Sequence, residues 1–459
     1  MPHQKKTYLR AFVWVDYAGD LNLRAYGHLR LPVDQYAWAP RLQLEPPDPA
    51  APAVNGTAEP PVDALRFMGG HFLRPYAFRF ELPGGMETAA CFKLLELSYP
   101  GHKAPFCVPL EGTAATLDAA ARGGDSADDG DAATITPVCD QLAPPGQYTD
   151  TRPALWAAIG PPRHAKSTRE WSRYYSQIAV RTVHYLAYHV AMGMSGLLLY
   201  TDAVQRHYLR KQLVLQPYLR AGHLRLVEWD LPERNHPDDG RGRPLGYNYD
   251  QALFASHALL GLSGCGANLA LMISDFDEYL FSFQPGTRWP APYGGCMPAT
   301  APKPAPPHTP VAIHTLQRVE LLSSRVPPAL EPRVWAVVPV SVRRAFAADT
   351  GDPAAGLHPL AVYNRRGPKP MTHNRHNKPI VFPAAEVVSF FVHEGAPLHG
   401  VSALVDKDCL ILLHVSNYWI ARSDTGIYRR LNVTDFVEFK HWMFDSAARG
   451  AGGGISYLT

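Results

Sequence analysis

Between Arg173 and Ile273 the chain alternates helix-period and strand-period segments three times, and no other feature limits its possible folds as sharply. Val183, Leu186, Ala187 and Val190 recur at helical spacing and the pattern stops at Gly193, which predicts a helix over Arg173 to Met192 ended by a glycine cap. Gly196-Leu-Leu-Leu-Tyr200 reads as a buried strand. Ala203 to Arg220 then has helical composition and ends near Gly222; Leu224 to Trp229 is a strand; Asp250 to Leu262 is a helix opened by an acidic cap; Ala267 to Ile273 is a strand. Alternation of this kind builds a largely parallel sheet covered by helices, with its ligand site beyond the carboxyl ends of the strands. The positions to inspect are therefore Tyr200 to Asp202, Trp229 to Asp230, and Ser274 onward.

Directly after the third strand stands Ser274-Asp275-Phe-Asp277-Glu278. Carboxylates this crowded repel one another unless a cation or strong donors neutralise them. In an extended segment Asp275 and Asp277 share a face and can chelate one oxygen-preferring ion, Mn2+ or Mg2+, or its waters. Such an ion suits a nucleotide-diphosphate sugar: it neutralises the leaving diphosphate while an acceptor hydroxyl attacks the anomeric carbon. No Gly-x-Gly-x-x-Gly follows the first strand, no P-loop exists, and no Gly-x-Ser-x-Gly elbow is present, which argues against a dinucleotide oxidoreductase, a P-loop nucleotidase and a serine hydrolase.

Around this region lies a different texture. Short aromatic and β-branched runs (Ala11 to Val15, Arg24 to Leu31, Phe78 to Leu82, Ala90 to Leu94, Ala104 to Leu110) predict a β-rich N-terminal domain over 1–110. Residues 111–136 collapse to Ala, Gly, Asp, Ser and Thr and read as a disordered linker or insertion; 137–170 reads as a connector and 447–459 as a flexible tail. With 44 Lys and Arg against 41 Asp and Glu and no basic run, nucleic acid is not an expected partner. No apolar stretch is long enough for a membrane-spanning helix, and the start is too short in apolar residues for a signal peptide, so the expectation is a cytosolic protein or a soluble piece of a longer chain. Six cysteines without a CxxC pair, with sequons at Asn55 and Asn432, are equally compatible with an oxidising lumen.

The ordered set His184-Tyr-Leu-Ala-Tyr-His189, Leu197-Leu-Leu-Tyr-Thr-Asp202, Leu215-Gln-Pro-Tyr-Leu219, Val227-Glu-Trp229, Gln251 and Ile273-Ser-Asp-Phe-Asp-Glu-Tyr279 resembles glycosyltransferase family 92. Asn377-Lys-Pro-Ile-Val-Phe-Pro383, Val392-His393 and Leu413-His414 are similar to that family's closing motifs. The stretches Val183-His184-Tyr185, Thr201-Asp202 and His414-Val415 depart from it and mark a divergent member. The resemblance implies a GT-A fold over 171–446, Rossmann-like with a mixed, mostly parallel sheet. It also implies a divalent ion, usually manganese, and inverting transfer of a hexose, galactose in that family, from a UDP-sugar to a glycan acceptor. The setting it implies is the Golgi lumen, with any membrane anchor outside this chain.

Carried over, Asp275 and Asp277 are the metal pair and Glu278 the acidic residue that follows, with His393 or His414 as a third ligand. Lys378 would face the diphosphate, and Tyr200 and Asp202 the uridine. The base that inversion requires has candidates in Glu278, Glu320 and Glu394, and Trp229, Trp289 and Tyr293 are candidate sugar-stacking rings. The competing expectations are a non-catalytic glycan-binding or scaffold protein of the same fold and a metal-dependent phosphodiesterase or nuclease.

Overall fold

A computed structural model of the chain describes residues 7–16, 42–46, 50–58, 73–82, 90–96, 103–108 and 133–134, then 154–162, 171–229, 247–263, 265, 268–282, 289, 295–298 and 308–322. Beyond these it describes 340, 342–344, 346, 358–362, 365–366, 377–385, 387–391, 394–397, 400–415, 434–435 and 457–458. The chain divides into two units, residues 1–141 with 245–249, and residues 142–244 with 250–459.

Within residues 1–141 of the first unit the described elements are β-strands. Thr7–Asp16 pairs antiparallel along its whole length with Leu73–Leu82, which takes Thr57–Ala58 on its other side. A five-stranded sheet runs Val54–Asn55, Leu42–Glu45, Ala90–Glu96, Lys103–Val108, Ala133–Thr134, with Cys91 opposite Cys107. Phe78, Phe80, Leu82, Leu42 and Leu44 are buried, as alternating apolar positions of half-covered strands should be. Ala133–Thr134 pairs parallel with Lys103–Val108 although it lies inside the stretch expected to be unstructured. The predicted strand Arg24 to Leu31 lies outside the described residues.

In the second unit the main sheet has seven strands. In chain order they are β1 (Ala154–Ile159), β2 (Gly196–Thr201), β3 (Leu224–Glu228), β4 (Leu269–Ile273), β6 (Val311–Leu316), β9 (Lys378–Val381) and β12 (Val401–Leu404); the omitted numbers belong to strands outside this sheet. Across the sheet the order is β3-β2-β1-β4-β9-β6-β12, and only β9 runs against its neighbours. Strand order therefore reverses between β1 and β4, since β1 to β3 step one way and β4 the other. The protein is mixed α/β with a mainly parallel seven-stranded sheet, as expected, and is compatible with a Rossmann-like fold. One of its inner strands, β1, falls in the segment read as a connector: Ala-Leu-Trp-Ala-Ala-Ile is buried on both faces and so shows no alternation.

The helices follow the predicted positions with instructive shifts. Helix α1 (Trp171–Ala191) ends in a paired glycine cap, with Gly193 N donating to Val190 O (3.0 Å) and Met194 N to His189 O (2.9 Å). Gly193 has φ +89°, and a Cβ there would sit 2.6 Å from the Trp289 carbonyl oxygen. Gly193→Ala is thus expected to cost about 2 kcal/mol or more, combining left-handed strain with displacement of Trp289, measurable as a lowered urea midpoint at unchanged m.

The single helix expected over Ala203 to Arg220 is instead α2 (Ala203–Arg210), a 3-10 turn at Leu213–Leu215, and α3 (Gln216–Arg220). Pro217 explains the break, because it lacks an amide hydrogen and fits only a first helical turn. Helix α4 (Tyr247–Leu262) begins before Asp250, so Asp250 lies in its first turn and is not its cap.

A second sheet runs β5-β13-β7-β8-β14, from β5 (Glu278–Ser282), β13 (Leu410–Val415), β7 (Arg318–Leu322), β8 (Arg365–Arg366) and β14 (Thr434–Asp435). Strands β10 (Val387–Phe391) and β11 (Glu394–Pro397) form a separate hairpin. Helix α1 packs on β2 and on β5, the edge of the second sheet, and covers that edge with side-chain hydrogen bonds. Tyr188 Oη donates to Leu280 O (2.6 Å), Leu280 N donates to His189 Nε2 (3.2 Å), and His189 Nδ1 donates to Tyr185 O (2.9 Å). Burial pushes His189 down to about 3, so it is the neutral acceptor this geometry needs. Tyr457 and Leu458, in the stretch expected to be a flexible tail, are packed on the core: Tyr457 Oη lies 2.8 Å from His184 Nδ1, and Leu458 N donates to Tyr218 Oη at 3.2 Å.

Candidate active site

Beyond β4 the ladder continues one residue further, through Ser274 N to Ala158 O (3.1 Å), and the chain then turns. Glu278 N donates to Asp275 O (3.1 Å) and Asp275 N to Glu278 Oε2 (2.9 Å), so Asp275 to Glu278 is a closed four-residue turn, not the extended segment expected. Phe276 is buried at its centre with its ring edge-on to Tyr185. The turn lies at the carboxyl end of β4, beside the reversal of strand order, where open α/β sheets bind their ligands.

Three strands bring partners to it. Because β9 runs opposite to β4, its first residue, Lys378, lies at the same edge as the end of β4. Lys378 Nζ is 2.9 Å from Asp275 Oδ2 and 3.7 Å from Glu278 Oε2. Strand β13 places His414 opposite Glu278 on β5 and opposite Glu320 on β7. His414 Nε2 is 3.5 Å from Asp277 Oδ2, and His414 Nδ1 is 2.6 Å from Glu320 Oε2. Arg318 closes the row, with a guanidinium nitrogen 2.6 Å from Glu320 Oε1. The result is a chain of alternating charge, Arg318, Glu320, His414, Asp277, beside the pair of Lys378 and Asp275.

Burial sets the protonation states. Asp275 keeps 39% of its side chain exposed and Asp277 11%, whereas Glu278, Glu320 and Lys378 keep 1–3%. Burial raises Glu278 to about 7, opposed by Lys378 and assisted by Asp275 and Asp277. For His414 burial works against the charge, yet Asp277 and Glu320 outweigh it and hold the ring up at about 9. The two carboxylates, one at each ring nitrogen, thus favour the imidazolium form in the metal-free protein.

A pH dependence follows. His414 has its folded-state value raised above 6.5, so its contribution is fully present below 6.5 and is lost as pH climbs through about 9. We expect stability to fall by on the order of 2 kcal/mol over that interval. The fall should flatten in His414→Gln when urea midpoints are followed from pH 6 to 9.5.

The expected residues therefore divide. Asp275, Asp277, Glu278, Glu320, Lys378 and His414 come together. Tyr200 and Asp202 do not join them. Tyr200 is 1% exposed, its hydroxyl 2.9 Å from His257 Nδ1 and its ring packed on Trp229, Phe254 and His257. Asp202 caps α2, accepting from Gln205 N at 2.7 Å while Gln205 Oε1 accepts from Asp202 N. Glu394 opens β11 opposite Phe391; His393 and Tyr293 lie outside the described residues. Trp289 is spent on the end of α1, its amide donating to Met192 O at 2.8 Å. Sequence reasoning passed over Arg318, whose two-residue spacing from Glu320 on one strand was the available signal.

Comparison with protein-family models and with curated proteins finds no match for this chain.

Proposed function

We propose that the chain is a metal-dependent, inverting glycosyltransferase of GT-A type, akin to glycosyltransferase family 92, that moves a hexose, galactose as the first candidate, from a UDP-sugar to a glycan acceptor. The observation that carries this reading is the acidic turn at the carboxyl end of β4, beside the strand reversal of a mixed, mainly parallel sheet. Asp275 and Asp277 suit a hard divalent ion by chemistry: two carboxylates on one turn, the first well exposed. When bound, Mn2+ or Mg2+ neutralises the leaving diphosphate.

The protein's own groups share the remaining work. Lys378 supplies a fixed positive charge at the same edge. Glu278 holds the turn through Asp275 N, and Glu320 holds His414, so both act on their neighbours and leave Glu394 as the base to test. The Cys296–Cys409 disulfide and a disulfide-bonded Cys265 support a secretory lumen such as the Golgi. No helix among the described residues is long and apolar enough to cross a membrane.

One observation favours a second reading, a glycan-binding or scaffold protein without turnover: both aspartates already face protein cations. Thermal unfolding with UDP- and GDP-sugars, with and without Mn2+, separates the two. The transferase reading expects a stabilisation that needs both Mn2+ and a UDP-sugar, about 2.7 kcal/mol at a hundredfold excess over Kd. No shift with any nucleotide sugar would leave the binding protein standing.

A further inference from the structure

We infer that Lys378 is a built-in competitor for the metal: it holds Asp275 in the free protein, a divalent ion must displace it to take that carboxylate, and a diphosphate relieves the cost, so ion and nucleotide bind interdependently. The inference rests on the transferase reading and concerns how that site loads. Lys378 is almost wholly buried, and its Nζ reaches Asp275 Oδ2 at 2.9 Å from the protein side while 39% of the Asp275 side chain faces solvent. An ion approaching from solvent meets a carboxylate already engaged by an ammonium. Glu278 Oε2, 3.7 Å from the same nitrogen and itself accepting from Asp275 N, keeps Lys378 in place.

Two positive centres sharing one carboxylate a few ångströms apart repel strongly where water is scarce. Mn2+ alone therefore binds against Lys378. A diphosphate removes the conflict by offering oxygens to both, the ammonium passing from Asp275 to a phosphate while the ion takes the carboxylate. Asp277 lies instead 3.5 Å from His414 Nε2, whose other nitrogen is 2.6 Å from Glu320. The coupling is reciprocal: UDP must raise the affinity for Mn2+ by the factor by which Mn2+ raises that for UDP.

The test counts free Mn2+ by electron paramagnetic resonance during titration of the whole chain, with and without UDP. Wild type should bind Mn2+ weakly alone and at least about tenfold more tightly with UDP. Lys378→Met, which keeps the hydrocarbon stem and removes the charge, should bind Mn2+ alone more tightly and lose most of the effect of UDP; Lys378→Arg should restore the wild-type pattern. A second readout needs no variant: acetylation of Lys378 by acetic anhydride, mapped by mass spectrometry, should be slow in the free protein and rise several-fold at saturating Mn2+ without nucleotide. Coupling at the wild-type level in Lys378→Met, or acetylation indifferent to Mn2+, would overturn the inference and leave the transferase reading intact. Wild type that binds neither Mn2+ nor UDP would remove both.

Discussion

Glu320→Ala is expected to destabilise the protein by about 3–5 kcal/mol, the largest loss of any single substitution in the acidic network. Glu320 is 2% exposed and stands between two cations, with Arg318 2.6 Å from one carboxylate oxygen and His414 2.6 Å from the other. Truncation leaves a guanidinium and an imidazolium facing each other without the charge that separates them, and neither reaches water easily. His414 would respond by giving up its proton, which lowers the loss but also removes the positive charge 3.5 Å from Asp277. Guanidinium unfolding followed by tryptophan fluorescence measures the effect. The outcome separates two roles for Glu320: a catalytic base would abolish turnover and leave the midpoint near wild type, whereas the partner of Arg318 and His414 moves the midpoint first. Glu320→Gln, which keeps the shape and one acceptor, should recover part of the loss.

Local signals explain what could be read from the chain. The period of α1 and its terminal Gly193 sit within a few residues of each other, so helix and cap were both legible, and the paired hydrogen bonds at Val190 and His189 are what such a cap requires. The acidic cluster was legible for the same reason, because its charges are adjacent, although its closed turn was not. Strand β1 was not: a strand buried on both faces has no alternation, and three of its six residues are alanine, which favours no strand. Pro217 was a local signal that composition outweighed, and it breaks the helix where its missing amide hydrogen demands.

What the chain hid was who neutralises whom. Lys378, Glu320 and His414 were each visible as separate candidates, for phosphate, base and metal. Their mutual pairing depends on β13 lying between β5 and β7, and on β9 running against β4; such registers are long-range and leave no trace in spacing. The cation that crowded carboxylates require is in part the protein's own. The residues of α1 that resemble a family motif, Tyr188 and His189, turn out to hold the edge of β5 behind the turn, a structural task that fits the motif without chemistry.

Asp277→Ala should instead leave the fold nearly intact and remove activity. Its side chain is mostly buried, but its charged neighbour His414 keeps Glu320 as a partner, and the contact of Asp277 with β13 that holds the turn, Val415 N to Asp277 O at 2.8 Å, belongs to the backbone and survives the substitution. Removing one of several crowded carboxylates also relieves repulsion, which lowers Glu278 toward its ordinary range. The expected stability change is within about 1 kcal/mol. Under the transferase reading, turnover depends on this carboxylate at the moment the diphosphate leaves, and losing one fixed electrostatic group of that kind costs about 10²–10³ in kcat. Product formation from UDP-galactose at saturating Mn2+, set beside the melting temperature of the same preparation, checks both halves. An inactive enzyme with an unchanged melting temperature places Asp277 at the chemistry, while a melting temperature that falls by as much as in Glu320→Ala makes it one more support of β13 and returns the turn to a structural role.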